Sequence, residues 1–253
     1  MHIARLLHSQ GFGTRRECAA LCRRGRVRVD GAAIDHPGTE VEVAEGRPFE
    51  VDGQEWRFRA HALVMLNKPA GVECSREPRD HVPVLTLLPA PLRQRGVQPV
   101  GRLDADTTGL LLLTDDGALL HRLTSPRHQV AKVYEVTCRH PVPPAQLDAL
   151  RAGVVLHDDP EPVHALAAES TGERTLRLTI SGGRYHQVKR MLAAAGNRVE
   201  YLHRSGFGAL TLGALAPGEW TWIDPAALHA SASAGAAPDT ADEPTSDVSG
   251  NAR

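Results

Sequence analysis

Cysteine is scarce in this chain, and its placement argues against both disulfides and a metal. The 253 residues include four cysteines, and no two of them have CxxC spacing. A chain of this length can bury a sizeable core without cross-links, so we predict free thiols in a reducing compartment. The 13 histidines form no HxH or HExxH motif, and we therefore expect no metal site.

Long hydrophobic runs are also missing. The longest lies near residues 110–113, far below the roughly 20 residues that a bilayer requires. The first residues show neither the apolar stretch nor the cleavage site of a signal peptide. No phosphate-cradling glycine loop or dinucleotide fingerprint is present, which argues against a nucleotide cofactor. We expect a cytoplasmic protein with no membrane contact.

Lysine is scarce as well, since only Lys68, Lys132 and Lys189 occur among the 29 basic residues. Arginine supplies the general positive charge, so a retained lysine indicates a need for a compact ammonium. The formal net charge is −1, but acidic residues gather near the C-terminus and arginines near the N-terminus. Local potential attracts a polyanion more than total charge does. The arginines expected to bind one are Arg15, Arg16, Arg23, Arg24, Arg26 and Arg28.

The N-terminal segment reads as a small module of two helices and a strand pair, over residues 1–43. Thr14 and Glu17 have the spacing of a capping box and predict the start of the second helix. Asp30 and Gly31 predict a hairpin turn, and residues 41–43 alternate like a further strand. Residues 44–60 are poorly patterned, and we interpret them as a connector that contains some strand.

A larger domain is predicted over residues 61–229. Strands and helices alternate irregularly along it with short joins, which favours the α+β class. The residues from 230 to 253 are rich in Ala, Ser, Asp, Thr and Pro and include no aromatic residue, so we predict a disordered tail. The predicted strands are 62–66, 97–100, 110–113, 132–136 and 175–180, and the predicted helices are 118–123, 143–150 and 185–195.

The strongest candidate for a reactive loop is residues 101–110, Gly-Arg-Leu-Asp-Ala-Asp-Thr-Thr-Gly-Leu, directly before an apolar strand. Loops held by a rigid core often display reactive groups. Taken alone, Asp104 fits a structural Asx turn, which is the commoner role of a single aspartate in such a loop. Asp104 with Asp106 also resembles part of a calcium loop, but no glutamate follows at the required distance. The residues by themselves leave these alternatives open.

The whole string resembles the signature loop of pseudouridine synthases, and other segments resemble further motifs of that family in the same order. Residues 1–43 resemble an S4 RNA-binding domain. The resemblance extends over about residues 1–228 and implies a small S4-like α/β domain, followed by a catalytic domain on a mixed, mainly antiparallel sheet. The further motifs are Leu66-Asn67-Lys68-Pro69-Ala70-Gly71, Lys132-Val133-Tyr134, and the stretch 181–191, Ser-Gly-Gly-Arg-Tyr-His-Gln-Val-Lys-Arg-Met.

The resemblance implies a role for each matching residue. Asp104 would be the catalytic carboxylate, acting as nucleophile or as charge stabiliser while uracil leaves its ribose. Lys189 would pair with Asp104 and favour its ionised form. Tyr134 would stack on the uracil and take part in proton transfer. The implied RNA contacts in this domain are Arg102, Lys68, Lys132, Arg184, His186 and Arg190, and loop anchoring is the alternative for Lys68 and Lys132.

Three stretches, 125–128, 184–191 and 196–204, resemble the branch of the family that modifies 16S rRNA. They imply site-specific isomerisation of a uridine by a monomeric enzyme, on naked 16S rRNA or on a small-subunit assembly particle. The target would be flipped out of its stack. No cofactor is implied, because isomerisation is redox-neutral and retains every atom. The alternatives are a 23S rRNA enzyme of the large subunit and a non-catalytic RNA-binding assembly protein.

Overall fold

The N-terminal unit contains two helices and an antiparallel sheet. The computed structural model of the protein describes residues 1–75, 77, 80–157 and 159–228. The predicted capping box is confirmed: the Thr14 hydroxyl accepts from the Glu17 amide, and the Glu17 carboxylate accepts from the Thr14 amide. Asp30 and Gly31 turn the hairpin with positive φ. The elements are α1 (Ile3–Ser9), α2 (Arg15–Arg23), β1 (Val27–Val29) and β2 (Ala32–Ile34).

The predicted connector, residues 44–60, contains two strands that extend the sheet of this unit. It forms β3 (Pro48–Val51) and β4 (Gln54–Arg57), and the sheet order is β2-β1-β3-β4. Phe49 and Val51 are buried in the N-terminal core, so the removal of their side chains from water favours the packing of β3 against this unit. The strand predicted at 41–43 was wrong, since those residues have no strand structure.

The larger unit confirms the predicted α+β class. All eight elements predicted here from the sequence are present, with ends that match or differ by a few residues. The predicted tail lies outside the described residues. The strands are β5 (Leu63–Lys68), β6 (Val72–Glu73), β7 (Val82–Pro83), β8 (Gln98–Pro99), β9 (Thr108–Thr114), β10 (Lys132–Cys138), β11 (Val154–Leu156), β12 (Asp159–Val163), β13 (Ala167–Gly172), β14 (Thr175–Ile180), β15 (Val199–Phe207), β16 (Leu210–Thr211) and β17 (Trp220–Trp222). The helices are α3 (Ala90–Gln94), α4 (Gly117–Thr124), α5 (Pro144–Ala152) and α6 (Gln187–Ala194).

The main sheet is mixed and mainly antiparallel, as predicted. Over the described chain its order is β13-β14-β10-β15-β9-β5-β17, with β8 and β16 paired to β9 and β15. The pairing of β15 with β9 is parallel, whereas β10 runs antiparallel to β15. This register places Arg204 between Tyr134 on one side and Gly109 on the other. The centre of the sheet therefore brings together strands that are distant in sequence.

Both faces of the central strands are covered, which explains the apolar run in β9. Every residue of β9 is buried, and so is every residue of β5. One face packs into a core that includes side chains of α5 and α6, and the other packs into a second core with Phe207. A strand buried on both faces needs apolar side chains at successive positions. Among the described residues, no helix is long and apolar enough to cross a bilayer.

Arg95 ties the two units together and so fixes the N-terminal unit beside the main sheet. Its Nε donates to Asp115 at 2.7 Å, its Nη1 to Gln10 Oε1 at 3.0 Å, and its Nη2 to the carbonyl of Ala60 at 3.2 Å. The side chain is only 4% exposed. Shielded charge-assisted bonds of this kind are stronger than exposed ones. The RNA-binding face predicted on the N-terminal unit thus has a defined position.

Candidate active site

Asp104 lies in a loop whose backbone is hydrogen-bonded to the loop that follows β5. The amide of Gly71 donates to the carbonyl of Ala105 at 2.8 Å, and the amide of Thr107 donates to the carbonyl of Asp104 at 3.1 Å. Leu103 points into the core, while the Asp104 side chain is 32% exposed. Leu103 therefore anchors the loop in the core, and the next residue, Asp104, presents its carboxylate to solvent.

Lys68 anchors this loop, which corrects its prediction as an RNA contact. The residue is fully buried, and its ammonium donates to the carbonyls of Pro69, Ala105 and Thr107 at 3.0, 3.3 and 2.9 Å. Burial lowers the pKa of Lys68, and the nearby acidic groups oppose that shift only in part. A side chain with no exposed surface has no access to a phosphate. The loop-anchoring alternative is the one that the geometry supports.

Replacement of Lys68 by methionine is expected to slow catalysis without weakening RNA binding. Loss of the ammonium frees two carbonyls of the Asp104 loop, and a displacement of about 1 Å can cost up to 100-fold in rate. The midpoint of thermal unfolding should change little. The variant loses the hydrogen bonds of the ammonium, but it also no longer has to bury a charge. Single-turnover rates and RNA affinity, measured side by side, test this. A large fall in affinity at unchanged rate would restore the RNA-contact role.

Asp104 lies between the ammonium of Lys189 in α6 and the imidazole of His186, the residue directly before that helix. Its Oδ2 lies 3.0 Å from the Lys189 Nζ, and its Oδ1 lies 3.3 Å from the His186 Nε2. Because His186 and Lys189 are three residues apart, they share one side of the helix start. The Lys189 ammonium also donates to both oxygens of Asp106, at 2.7 and 2.9 Å. The predicted pair of Asp104 and Lys189 is therefore part of a larger charged cluster.

The cluster keeps Lys189 protonated and Asp106 ionised. Burial by itself would lower the pKa of Lys189, but its hydrogen bonds to Asp106 and Asp104 outweigh burial and raise it. Burial would raise the pKa of Asp106, yet the hydrogen bond and charge of Lys189 outweigh that and lower it. The result is a fixed positive charge beside Asp104.

The helix start that carries these groups is strained. His186 has φ +48°, a left-handed conformation that non-glycine residues adopt at a cost. The turn is closed by Gln187, whose Oε1 accepts from the Arg184 amide at 3.0 Å. Tyr185 stacks on the His186 ring at 3.8 Å between centroids and is 75% exposed. In this conformation the imidazole faces Asp104, and the Tyr185 ring lies at the surface.

Asp104 opens onto a cavity of about 970 Å³. Tyr134 reaches it from β10 and is 7% exposed, so its ring forms part of the cavity and part of the core. Asp104 is the one acidic side chain among the described lining residues. The basic lining side chains are Arg102, Lys132, Arg184, Lys189 and Arg204. The excess of positive charge favours an anionic ligand.

Arg204 is a lining residue to which the sequence assigned no role. It stands on β15, is 1% exposed, and donates from Nε to the carbonyl of Leu110 at 2.7 Å. Its position opposite Tyr134 puts both side chains on one face of the sheet. The available signal was alternation along β15, because Leu202, two residues earlier, is also buried and lines the same cavity.

Lys132 remains at the cavity, in contrast to Lys68. Its ammonium donates to the carbonyl of Val130 at 3.0 Å and lies 5.4 Å from the centre of the Phe207 ring. Burial, and then the charge of Arg204, lower the pKa of Lys132 to about 8. Lys132 is thus placed as a pocket cation with one backbone anchor.

The predicted RNA-contacting arginines of this unit differ in whether other groups of the protein already bind their guanidinium. Arg102 is exposed at the cavity rim, and among the described residues no ion pair holds it. Arg184 pairs with Asp159, and Arg190 donates to the carbonyl of Tyr185 at 3.2 Å. Arg102 is accordingly the rim arginine best placed to meet a phosphate.

The six arginines of the N-terminal unit are all exposed, as an RNA-binding role requires. Arg26 pairs with Asp52, and Arg28 donates to the carbonyl of Gly31 at 2.7 Å. The remaining four form no ion pair with the part of the chain that the structure describes. They lie at the two ends of α2 and are Arg15, Arg16, Arg23 and Arg24.

Comparisons with known proteins agree with this geometry. A family model of RNA pseudouridylate synthases matches residues 62–194, and a model of the S4 domain matches residues 1–45. Ribosomal small subunit pseudouridine synthase A of Escherichia coli (strain K12) is 43% identical over 219 residues, which cover 84% of this chain and 92% of that protein. An uncharacterized RNA pseudouridine synthase of Bacillus subtilis (strain 168) is 36% identical, over 90% of this chain and 97% of that protein.

A solved structure is similar over nearly the whole described chain. It is a crystal structure of a pseudouridylate synthase, with a TM-score of 0.63 and 33% sequence identity. The match covers 90% of this chain and 98% of that one. The similarity therefore includes both the N-terminal unit and the unit that carries Asp104.

Proposed function

Because the chain belongs to the RNA pseudouridylate synthase family, we propose that it converts one uridine of small-subunit (16S) rRNA to pseudouridine. Membership makes the protein an isomerase that acts on RNA. Beyond family membership, we propose which RNA is the substrate and what each residue of the site does. The substrate rests on the Escherichia coli relative, whose name specifies the ribosomal small subunit and which covers 84% of this chain.

The observation that carries the proposal is the setting of Asp104. Its carboxylate lies 3.0 Å from the Lys189 ammonium, at the mouth of a cavity that also contains the Tyr134 ring. Glycosidic bond cleavage needs a group that meets developing positive charge at C1′, and an ionised carboxylate does so by attack or by electrostatic stabilisation. The Lys189 ammonium holds that carboxylate in place and sets a positive charge beside it.

The base must enter the cavity before it can react. Extrusion of a nucleotide from a stack costs a few kcal/mol, which stacking and hydrogen bonds in the pocket repay. Tyr134 offers one apolar face for the uracil, and Arg102 at the rim can hold the phosphate of the same nucleotide. The isomerisation retains all atoms of the uridine, so no cofactor takes part in this scheme.

The N-terminal unit would position rRNA for this step. S4 domains are RNA-binding modules in the family that the chain resembles, and α2 presents arginines at both ends. Phosphate contacts set register and orientation and carry no sequence information. All of the proposed site residues come from one chain, which suits a monomer working in the cytoplasm on rRNA or on a small-subunit assembly particle.

Replacement of the four free arginines by glutamine is expected to flatten the salt dependence of RNA binding. Each lost phosphate contact lowers the slope of log K against log salt by about 0.7–0.9, so the slope should fall by about 3. Fluorescence anisotropy across a salt series measures it. A matched control changes the exposed arginines Arg139, Arg151, Arg174 and Arg198 of the larger unit. Equal slopes in both variants would contradict the positioning role.

The choice of substrate is tested by tritium release from 5-tritiated uridine in 16S and 23S transcripts, and in small-subunit assembly particles. The proposal expects release from 16S rRNA or from the particles, and none from 23S rRNA. Release from 23S rRNA alone would keep the isomerase and overturn the substrate. Tight RNA binding without release from any of the three would favour the assembly-protein alternative.

A further inference from the structure

Arg204 is a buried cation with an unused hydrogen-bond donor. It is 1% exposed, its Nε is anchored to the carbonyl of Leu110, and its guanidinium lies 5.4 Å from the centre of the Phe207 ring. Its Nη2 is shielded from solvent and has no partner in the described structure. Buried polar groups of native proteins are nearly always hydrogen-bonded, so a free donor beside a cavity is available to a ligand in that cavity.

The charge of Arg204 points to the same conclusion. No carboxylate of the described residues forms an ion pair with it, although buried charges are normally paired. Lys132 brings a second cation to the same Phe207 ring, at 5.4 Å. Two neighbouring cations without a counter-ion are stabilised when a negative charge arrives between or beside them.

The position of Arg204 indicates that it would contact the base of a bound nucleotide and not its phosphate. Arg204 pairs in register with Tyr134, so a uracil lying on that ring would be next to the guanidinium. The nucleotide backbone continues into the rest of the RNA and must stay near the rim, where Arg102 is exposed. Because Arg204 is only 1% exposed, it would contact the part of the substrate that enters the cavity most deeply, which is the base.

We propose that Arg204 stabilises the negative charge of the uracil ring after the bond between C1′ and N1 has broken. This inference rests on the proposed function. The electron pair of that bond stays on N1, and the charge is shared with O2 and O4 of the ring. Charge that appears only as the bond breaks is the kind that a fixed, preorganised donor stabilises best. Lys132 is the second cation of this subsite.

The steps balance without another reactant. C1′ either bonds to an Asp104 oxygen, or it becomes part of a glycal when Asp104 takes a proton from C2′ and later returns it. The ring then turns, and C5 bonds to C1′ as Asp104 is released. The proton on C5 leaves to solvent, and N1 takes up a proton. Arg204 exchanges no proton in any of these steps.

The first test is binding of free bases to the wild-type full-length protein. Fluorine at C5 makes 5-fluorouracil more acidic than uracil, so a pH exists at which it is ionised and uracil is neutral. We expect the ionised base to bind at least about tenfold more tightly than uracil, with inorganic phosphate displacing neither. Equal affinities for the two bases, or displacement by phosphate, would overturn the assignment to the base and indicate a phosphate subsite.

The second test uses the variants Arg204→Met and Arg204→Lys, with Arg177→Gln as an exposed control. The preference for 5-fluorouracil should disappear in Arg204→Met and fall in Arg204→Lys. The single-turnover rate on uridine RNA should fall about 10²–10³-fold in Arg204→Met, with RNA affinity within about threefold. The rate of glycosidic cleavage in 5-fluorouridine RNA should fall less, because its leaving group needs less stabilisation.

Two other outcomes contradict the role of Arg204. Equal losses of rate on the two RNAs would indicate a structural role, and a loss of affinity with an unchanged rate would indicate a phosphate contact. If Arg204→Met unfolds, Arg204→Lys and the wild-type binding test still decide the matter. Failure of the wild type on every RNA would instead count against the proposed function, while its binding of 5-fluorouracil would still report on the subsite.

Discussion

The variant Asp104→Asn is expected to reduce turnover at least about 10³-fold and to leave RNA affinity within a few-fold. The amide keeps the size and shape of the carboxylate, but it can neither attack C1′ effectively nor stabilise positive charge there. RNA affinity depends on phosphate contacts made elsewhere, by the N-terminal arginines and by Arg102. Single-turnover tritium release and anisotropy on the same preparation give the two quantities.

Asp106→Asn is the matched control for that variant. Asp106 is two residues away, also bonds the Lys189 ammonium, and has a side chain that is 72% exposed. It is not in the lining of the cavity, so its neutralisation should lower the rate only modestly. Similar losses in the two variants would show that the charge on Lys189 matters more than the identity of Asp104. Loss of RNA affinity in Asp104→Asn alone would make that residue structural.

The variant Gly109→Ala is expected to destabilise the fold by about 3 kcal/mol or more and to abolish activity. Gly109 has φ +103°, and a Cβ at this position would lie 2.3 Å from the carbonyl oxygen of Arg204. The obstacle is backbone in the parallel pairing of β9 with β15, so a side-chain rotation cannot relieve it. Forced separation there would move both the Asp104 loop and Arg204. Urea unfolding measures the loss.

Gly117→Ala is the control for this substitution. Gly117 is the first residue of α4, has no atom within 4 Å of an added Cβ, and does not have positive φ. Alanine there should be neutral or stabilising by up to about 1 kcal/mol, because alanine loses less entropy in a helix. Gly109→Ala with the stability and rate of the wild type would contradict the close pairing of the two strands.

The sequence predicted the elements with strong local signals. The capping box at Thr14 and Glu17 marked the start of α2, and the alternation over residues 175–180 marked β14 with the observed ends. The motif strings placed Asp104, Tyr134 and Lys189 around one site. Local caps and turns depend on neighbouring residues, so they can be recognised without the tertiary structure.

The errors arose where tertiary pairing decided the outcome. Residues 41–43 alternate in hydrophobicity but form no strand, whereas residues 48–51, with a weaker pattern, pair with β1 because Phe49 and Val51 fill the N-terminal core. Whether an alternating segment pairs depends on which partner strand is available. For the same reason, the extension of the N-terminal sheet by strands in the connector 44–60 could not be read from the sequence.

The burial of basic side chains was equally hidden in the sequence. Lys68 was predicted to be a phosphate contact or a loop anchor, and only the structure shows that its ammonium bonds the carbonyls of a loop almost 40 residues later. Arg204 lies opposite Tyr134 only because β10 and β15 pair in the centre of the sheet. Long-range pairing sets both environments, and no local pattern reports it.

The most direct test of the account is to identify the product nucleoside in small-subunit rRNA treated with the wild-type enzyme or with Asp104→Asn. Pseudouridine and uridine have equal mass but separate by chromatography after complete digestion. We expect one new pseudouridine per reacted RNA molecule with the wild type and none with Asp104→Asn. Tritium release without pseudouridine, or equal pseudouridine from both proteins, would contradict the assignment of the Asp104 pocket as the site of isomerisation.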